Sequence, residues 1–207
     1  DGGALKVARK GTGTYRVHVE GRAAHAGLEP EKGVNALVEL AAQVTAIATI
    51  GRPEAGTTVT PTVARAGTAD NVVPDRAEIA VDVRCTAPEE RARIEQAMRG
   101  LRPTVPGATL RVEGGMNRPP LPESATRELY EIARGVARSL GMGEVAGVAV
   151  GGGSDGNITA ATGVRTLDGL GAVGGGAHAS TEHVRVDRMP ERAALVAALT
   201  AAIVNAS

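Results

Sequence analysis

Residues 150–157 read V-G-G-G-S-D-G-N: three glycines, a serine and an aspartate between an apolar run and a small-residue stretch. Gly152-Gly153-Ser154-Asp155-Gly156 fits G-x-S-x-G, the elbow that presents a serine nucleophile between strand and helix. Asp168 and His178 follow in the chain order such hydrolases use. About fifty residues follow the loop, however, too few for the remaining strands of that fold. A nucleotide phosphate loop fits more poorly still, because no Gly-Lys-Ser/Thr is present. Two readings stay open: a row of bare N–H groups that grips a carboxylate, or an ordinary tight turn. His178 lies in a second glycine-rich loop, G-L-G-A-V-G-G-G-A-H, where an α/β site places its chemistry. A solvated loop histidine is its plain alternative.

Four residues upstream form a second constellation. His25 stands in G-R-A-A-H-A-G, where small neighbours leave the ring clear. Asn71 stands in D-N-V-V-P, Arg84 at the end of an alternating run, and Arg118 in N-R-P-P. Singly they read as a surface histidine, an Asx turn, a strand arginine and linker. Together they are a set able to polarise a carbonyl and hold a carboxylate.

The elements that must position these residues follow from periodicity. Residues 14–20 alternate, with Tyr15, Val17 and Val19 on one side. Residues 33–49 carry Val34, Leu37, Val38, Ala41, Val44 and Ile47 at helical spacing. Residues 57–65 read as a strand that Pro61 confines to an edge or bulge. Residues 76–84 alternate with Ala77, Ile79, Val81 and Val83 inward, and Thr86 with Glu89 spells a capping box for a helix over 88–101. That helix presents Ile94, Ala97, Met98 and Leu101, and residues 108–113 form another strand. Strand, helix, strand, strand, helix, strand is the split βαβ, ferredoxin-like order: one antiparallel sheet with both helices on one face.

The pattern changes after N-R-P-P-L-P at 117–122. A helix is expected over 123–140 with Leu129, Ile132, Ala133 and Val136 inward. A buried parallel strand is expected over 144–150, a short helix at 157–162, a short strand at 164–170 and a last helix at 189–204, with Asp187 as its candidate cap. This is α/β material, but two parallel strands cannot make a covered sheet alone. The expected division is a stub at 1–11, a ferredoxin-like domain at 12–117 and an α/β segment at 118–207.

Composition narrows the partners. Lys plus Arg and Asp plus Glu balance at 23 each, which gives no electrostatic case for nucleic acid or an anionic membrane. No apolar run approaches the roughly 20 residues of a membrane span, and no signal peptide is visible; a cytoplasmic location is the default expectation. Cys85 is the sole cysteine, which excludes an intrachain disulfide or a cysteine-based zinc ribbon. With no Phe or Trp, the core must be built from Val, Ala, Leu and Ile.

G-R-A-A-H-A-G-L-E-P-E-K-G-V-N-A-L resembles the start of the lid domain in the zinc-dependent aminoacylase and carboxypeptidase family. D-N-V-V-P followed by D-V-R matches the same lid, and N-R-P-P, G-G-G-S-D and G-G-A-H-A-S-T-E-H-V match the family's C-terminal catalytic segment, closest to the glutamate carboxypeptidase branch. The resemblance implies that His178 is a zinc ligand. It implies that His25 crosses a dimer interface to polarise the scissile carbonyl, assisted by Asn71. Arg84, Arg118, the Gly152–Ser154 backbone and the Ser154 hydroxyl would hold the substrate's carboxylate end. It also implies a homodimer formed through the lid, with lid hinges near 10–13 and 116–119.

The rest of that family's two-metal site is missing from the chain. No His-x-Asp occurs, and Glu89-Glu90 belongs to a helix start. D-G-G-A-L-K-V-A-R-K-G resembles the segment just past a metal ligand in that family, which implies that the chain begins there, as the C-terminal half of a hydrolase with two zinc ions, cobalt and manganese being the alternatives. That parent would cleave an amide beside a free carboxylate, and the chain alone is expected to be inactive. The rival reading is a non-catalytic ferredoxin-like dimerisation or small-molecule-binding module.

Overall fold

The computed structural model describes residues 2–205. They fall into two compact units: one holds the residues up to Lys10 together with those from Pro120 onward, the other is Gly11–Pro119. Strand β1 (Leu5–Arg9) opens the first unit and β2 (Gly11–Glu20) opens the second.

In the second unit β2 is followed by α1 (Ala36–Ala48), β3 (Thr58–Ala66), β4 (Arg76–Cys85), α2 (Pro88–Arg99) and β5 (Thr109–Arg118). The sheet order is β3-β4-β2-β5 with every pair antiparallel. This is the ferredoxin-like topology. Its core is the inward side of the alternation: Tyr15, Val17 and Val19 with Ile79, Val81 and Val83, closed by Leu40, Ile47, Ile94 and Met98 from the helices. β3 lies at the edge with a register shift after Pro61, where a residue without an N–H removes no ladder bond.

Two details of this unit correct the periodicity. In α1 the fully buried residues are Ala36, Glu39, Leu40, Gln43 and Ile47, while Leu37 and Val38 are about half exposed. The helix is rotated because Glu39 and Gln43 bind the loop after α2. Gln43 Nε2 donates to Arg102 O, and Glu39 Oε2 accepts from the N–H groups of Thr104 and Val105. Thr86 does not cap α2 either. Its hydroxyl donates to Ala55 O, and the helix begins at Pro88 without a side-chain cap.

The first turn of α2 holds a buried ion pair instead. Glu90 takes both prongs of Arg93, at 2.9 and 2.6 Å. Arg93 holds the Glu90 carboxyl down at about 2 against the opposing effect of burial. A depressed carboxyl contributes stability above its ordinary value and loses it as pH falls toward the folded value. The thermal midpoint of this unit should therefore hold steady from pH 7 to about 4.5, then fall between about 4.5 and 2. In Glu90→Gln that part of the fall should be flattened, and an unchanged acid limb in calorimetry would contradict the assignment.

The first unit continues with α3 (Glu123–Ser139), β6 (Gly147–Val150), α4 (Gly156–Ala161), β7 (Gly174–Gly175), β8 (His183–Val184) and α5 (Met189–Asn205). β1 and β6 pair in parallel, β7 and β8 as a short hairpin. Leu5, Ala133 and Leu199 form the small core. The second strand of the parallel pair is thus β1, not 164–170. That segment is extended backbone which touches β1 through one bridge, Lys6 to Asp168, because Thr166 N bonds to Ala125 O on α3 instead. β6 is half-buried rather than covered on both faces. Asp187 does not cap α5: its carboxylate pairs with Arg185.

Candidate functional site

The end of β2 and the start of β4 bring His25 and Asn71 together. Ala26 N donates to Asn71 O at 2.8 Å, His25 bridges Val72, and Val73 N donates to Ala24 O. The His25 ring is exposed, and its Nδ1 accepts from the N–H groups of Gly27 and Leu28 at 3.1 and 3.2 Å. A nitrogen that accepts carries no proton, so the neutral ring holds its proton on Nε2. His25 therefore offers an outward N–H donor suited to a carbonyl oxygen on which negative charge develops.

Arg84 and Arg118 meet at the opposite end of the same strands. The register sets Thr12 of β2 opposite Arg84 on β4 and Arg118 on β5, so the two arginines flank one residue in a single row. A bulge at Asn117 brings Arg118 into that row. Arg84 stands on the face away from the helices, since Val83 and Cys85 on either side point into the core. Its guanidinium is already bidentate on Asp82, at 2.9 Å for both bonds, and that carboxylate raises the Arg84 pKa further. Eight residue steps along β4 lead from Arg76 to Arg84, a span of about 25 Å. His25 with Asn71 and Arg84 with Arg118 from one copy therefore cannot hold the same small molecule.

The glycine loop lies in the first unit. Ser154 N donates to Asn157 Oδ1 at 2.9 Å, and Ser154 Oγ donates to Asp168 Oδ2 at 2.5 Å while accepting from Gly156 N. Asp168 also accepts from Arg9 Nε at 2.7 Å and from Gly169 N at 2.6 Å. Arg9 donates a second bond to Gly152 O at 2.8 Å. Burial alone would raise the Asp168 carboxyl, but Ser154, the Gly169 N–H and Arg9 outweigh it and hold it below its ordinary value. The Ser154 hydroxyl, read from the sequence as a contact for the substrate carboxylate, thus already serves a carboxylate of the chain itself. Arg9 and Asn157 were missed in the sequence, and Asp168 was met only as a member of a hydrolase triad. No local spacing signals them, because β1 and the 164–170 segment meet only through the fold.

His178 is the one non-glycine residue with positive φ, 64°, among the described residues, a conformation that costs on the order of 1 kcal/mol. Its N–H donates to Glu182 Oε2 at 3.3 Å. A cavity of about 350 Å³ beside the loop is lined by Lys6, Gly169, Glu182 and His183 among others; neither His178 nor residues 151–155 line it. No group of three or more His, Cys, Asp or Glu able to hold a metal occurs among the described residues. The residues present therefore do not fit a metal centre by themselves.

Residues 7–106 match the peptidase dimerisation domain of the M20 type. Carboxypeptidase G2 of Pseudomonas sp. (strain RS-16) is 30% identical over 203 residues, covering 94% of this chain and 48% of that protein. Residues 7–106 are thus a peptidase dimerisation domain of the M20 type. Aminopeptidase PepT of Bacillus cereus superposes with a TM-score of 0.73 at 26% identity, over 95% of this chain and 53% of that one. The YXEP protein of Bacillus subtilis, described as a dinuclear metal binding peptidase from the M20 family, shares the fold with a TM-score of 0.66 at 16% identity, over 98% of this chain and 54% of that one. The chain spans about half the length of the curated relatives it matches. No helix among its described residues is long and apolar enough to cross a membrane.

Proposed function

We propose that the chain is the lid and the carboxylate-holding C-terminal portion of a homodimeric metallohydrolase that cleaves an amide bond next to a free carboxylate. The observation that carries this reading is the row Arg84–Thr12–Arg118, two guanidinium groups about 10 Å apart at their backbones on adjacent strands. That spacing lets both reach one carboxylate, Arg84 through the Nη1 that its pair with Asp82 leaves unspent. His25 Nε2–H, with Asn71 beside it, polarises the scissile carbonyl. The two sets stand too far apart to serve one substrate within one copy, so His25 and Asn71 would act in the site of the partner of a dimer. The peptidase dimerisation domain matched over residues 7–106 supports that arrangement. His178 would contribute one imidazole to a metal, zinc by the family resemblance. A single histidine is not a metal site, so no step is assigned to a metal within this chain.

The test uses the gene product assayed with N-acyl amino acids and with the same compounds amidated at the carboxyl. Carboxylates should be cleaved and amides spared. Arg84→Ala should raise KM for the carboxylates at least tenfold, the loss of about 1.4 kcal/mol of charge-assisted binding. Equal cleavage of both series would overturn the proposal.

A further inference from the structure

We infer that Asp168 and Arg9 are positioning residues for the glycine loop, and that Ser154 acts through Asp168 instead of touching the ligand. The inference rests on the carboxylate-holding reading above and alters what this loop does within it.

Every donor of Ser154 is spent. Its N–H goes to Asn157 and its O–H to Asp168, and its oxygen accepts the Gly156 N–H. A ligand carboxylate placed at Ser154 Oγ would also stand beside the ionised Asp168, and like charges at that range repel. Gly152 is held from the other side, its carbonyl taken by Arg9. What remains are the N–H groups of Gly152 and Gly153, which donate to no acceptor among the described residues.

The glycines divide in the same way. Gly156 is needed by the network itself: a Cβ there would sit 3.2 Å from Ser154 Oγ and 3.4 Å from Asp168 Oδ2. Gly169 is needed as well, with φ +80° and only 2.9 Å between a Cβ and Lys6 N. Its carbonyl is fixed by the buried Arg192, which also donates to the carbonyls of Gly171 and Gly3. Gly151 and Gly152 have no such reason. Neither has positive φ; a Cβ on Gly151 would meet nothing within 4 Å, and one on Gly152 only Arg9 Nη1 at 3.9 Å. Glycine that the fold does not require, with unspent N–H groups, suits close approach of something from outside. The Asp168–Arg9 pair holds that stretch in place and leaves those N–H groups unspent.

The test is an acetate titration of the chain followed by amide NMR. In the wild type, acetate should shift the Gly152 and Gly153 resonances more than that of Ser154. Asp168→Ala and Ser154→Ala should each weaken the apparent Kd about tenfold, and the double variant should be no weaker than either single one. Ser154→Thr, which keeps the hydroxyl, should restore the wild-type value. Leu5 and Ala133 amides report that the fold is intact. Arg9→Lys, which keeps the charge but loses the two-pronged geometry, serves as a second variant that should also weaken binding. Additive losses, or an unchanged Kd in Asp168→Ala and Arg9→Lys, would refute the positioning role and leave the carboxylate-holding reading standing. No wild-type response at Gly152 and Gly153 would remove the loop from carboxylate holding and the inference with it, and would leave the Arg84–Arg118 row to the assay above.

Discussion

Replacing Glu39 by alanine should lower the stability of the Gly11–Pro119 unit by about 3 kcal/mol. Glu39 is fully buried, on the core side of a helix. Its partners are neutral donors: the N–H groups of Thr104 and Val105 at 2.8 and 2.6 Å, the Thr104 hydroxyl at 3.0 Å and Gln43 Nε2 at 2.6 Å. Burial pushes its carboxyl up, but the Val105 N–H, Gln43 and Thr104 outweigh that and hold it below its ordinary value. Truncation leaves several buried donors unmet, each of which costs about 1–3 kcal/mol. Glu39→Gln should also destabilise, because its amide N–H₂ would face other donors. Urea unfolding measures both, and a loss under about 1 kcal/mol in the alanine variant would show that the loop after α2 satisfies itself in another way.

His25→Ala should lower kcat of the gene product by about 10²–10³, with KM changed little. The ring is exposed and its Nδ1 bonds are local, so the thermal midpoint should stay put: water can replace a single acceptor at Gly27 and Leu28. An oxyanion donor stabilises charge that exists only in the transition state, which is why the loss belongs in kcat. A variant that keeps wild-type kcat would remove His25 from the chemistry. A rise confined to KM would make it a substrate contact.

The ferredoxin-like unit was legible because its sheet buries one face. Tyr15, Val17, Val19, Ile79, Val81 and Val83 each sit where alternation puts them. Alternation does not depend on knowing which strands pair. α1 was misread at Leu37 and Val38 because its buried face includes Glu39 and Gln43, whose partners lie some sixty residues away in the 102–105 loop. The first unit was harder for a related reason. Its second parallel strand comes from Leu5–Arg9, separated from β6 by the whole of the other unit. The 164–170 segment has the apolar content of a strand but spends its bonds on α3 and on a single bridge. Residue types and motif spacing singled out Ser154 in the sequence. Its hydrogen-bond partners did not show there, and they decide what Ser154 can offer a ligand.

The ten-residue length of β4 bears on how damage is inherited. If each site joins one copy's arginine end to its neighbour's histidine end, a mutation at either end spoils a site belonging half to another molecule. Two inert alleles, one broken at His25 and one at Arg84, would then rescue each other when expressed in the same cell. Random pairing would leave roughly a quarter of the sites whole.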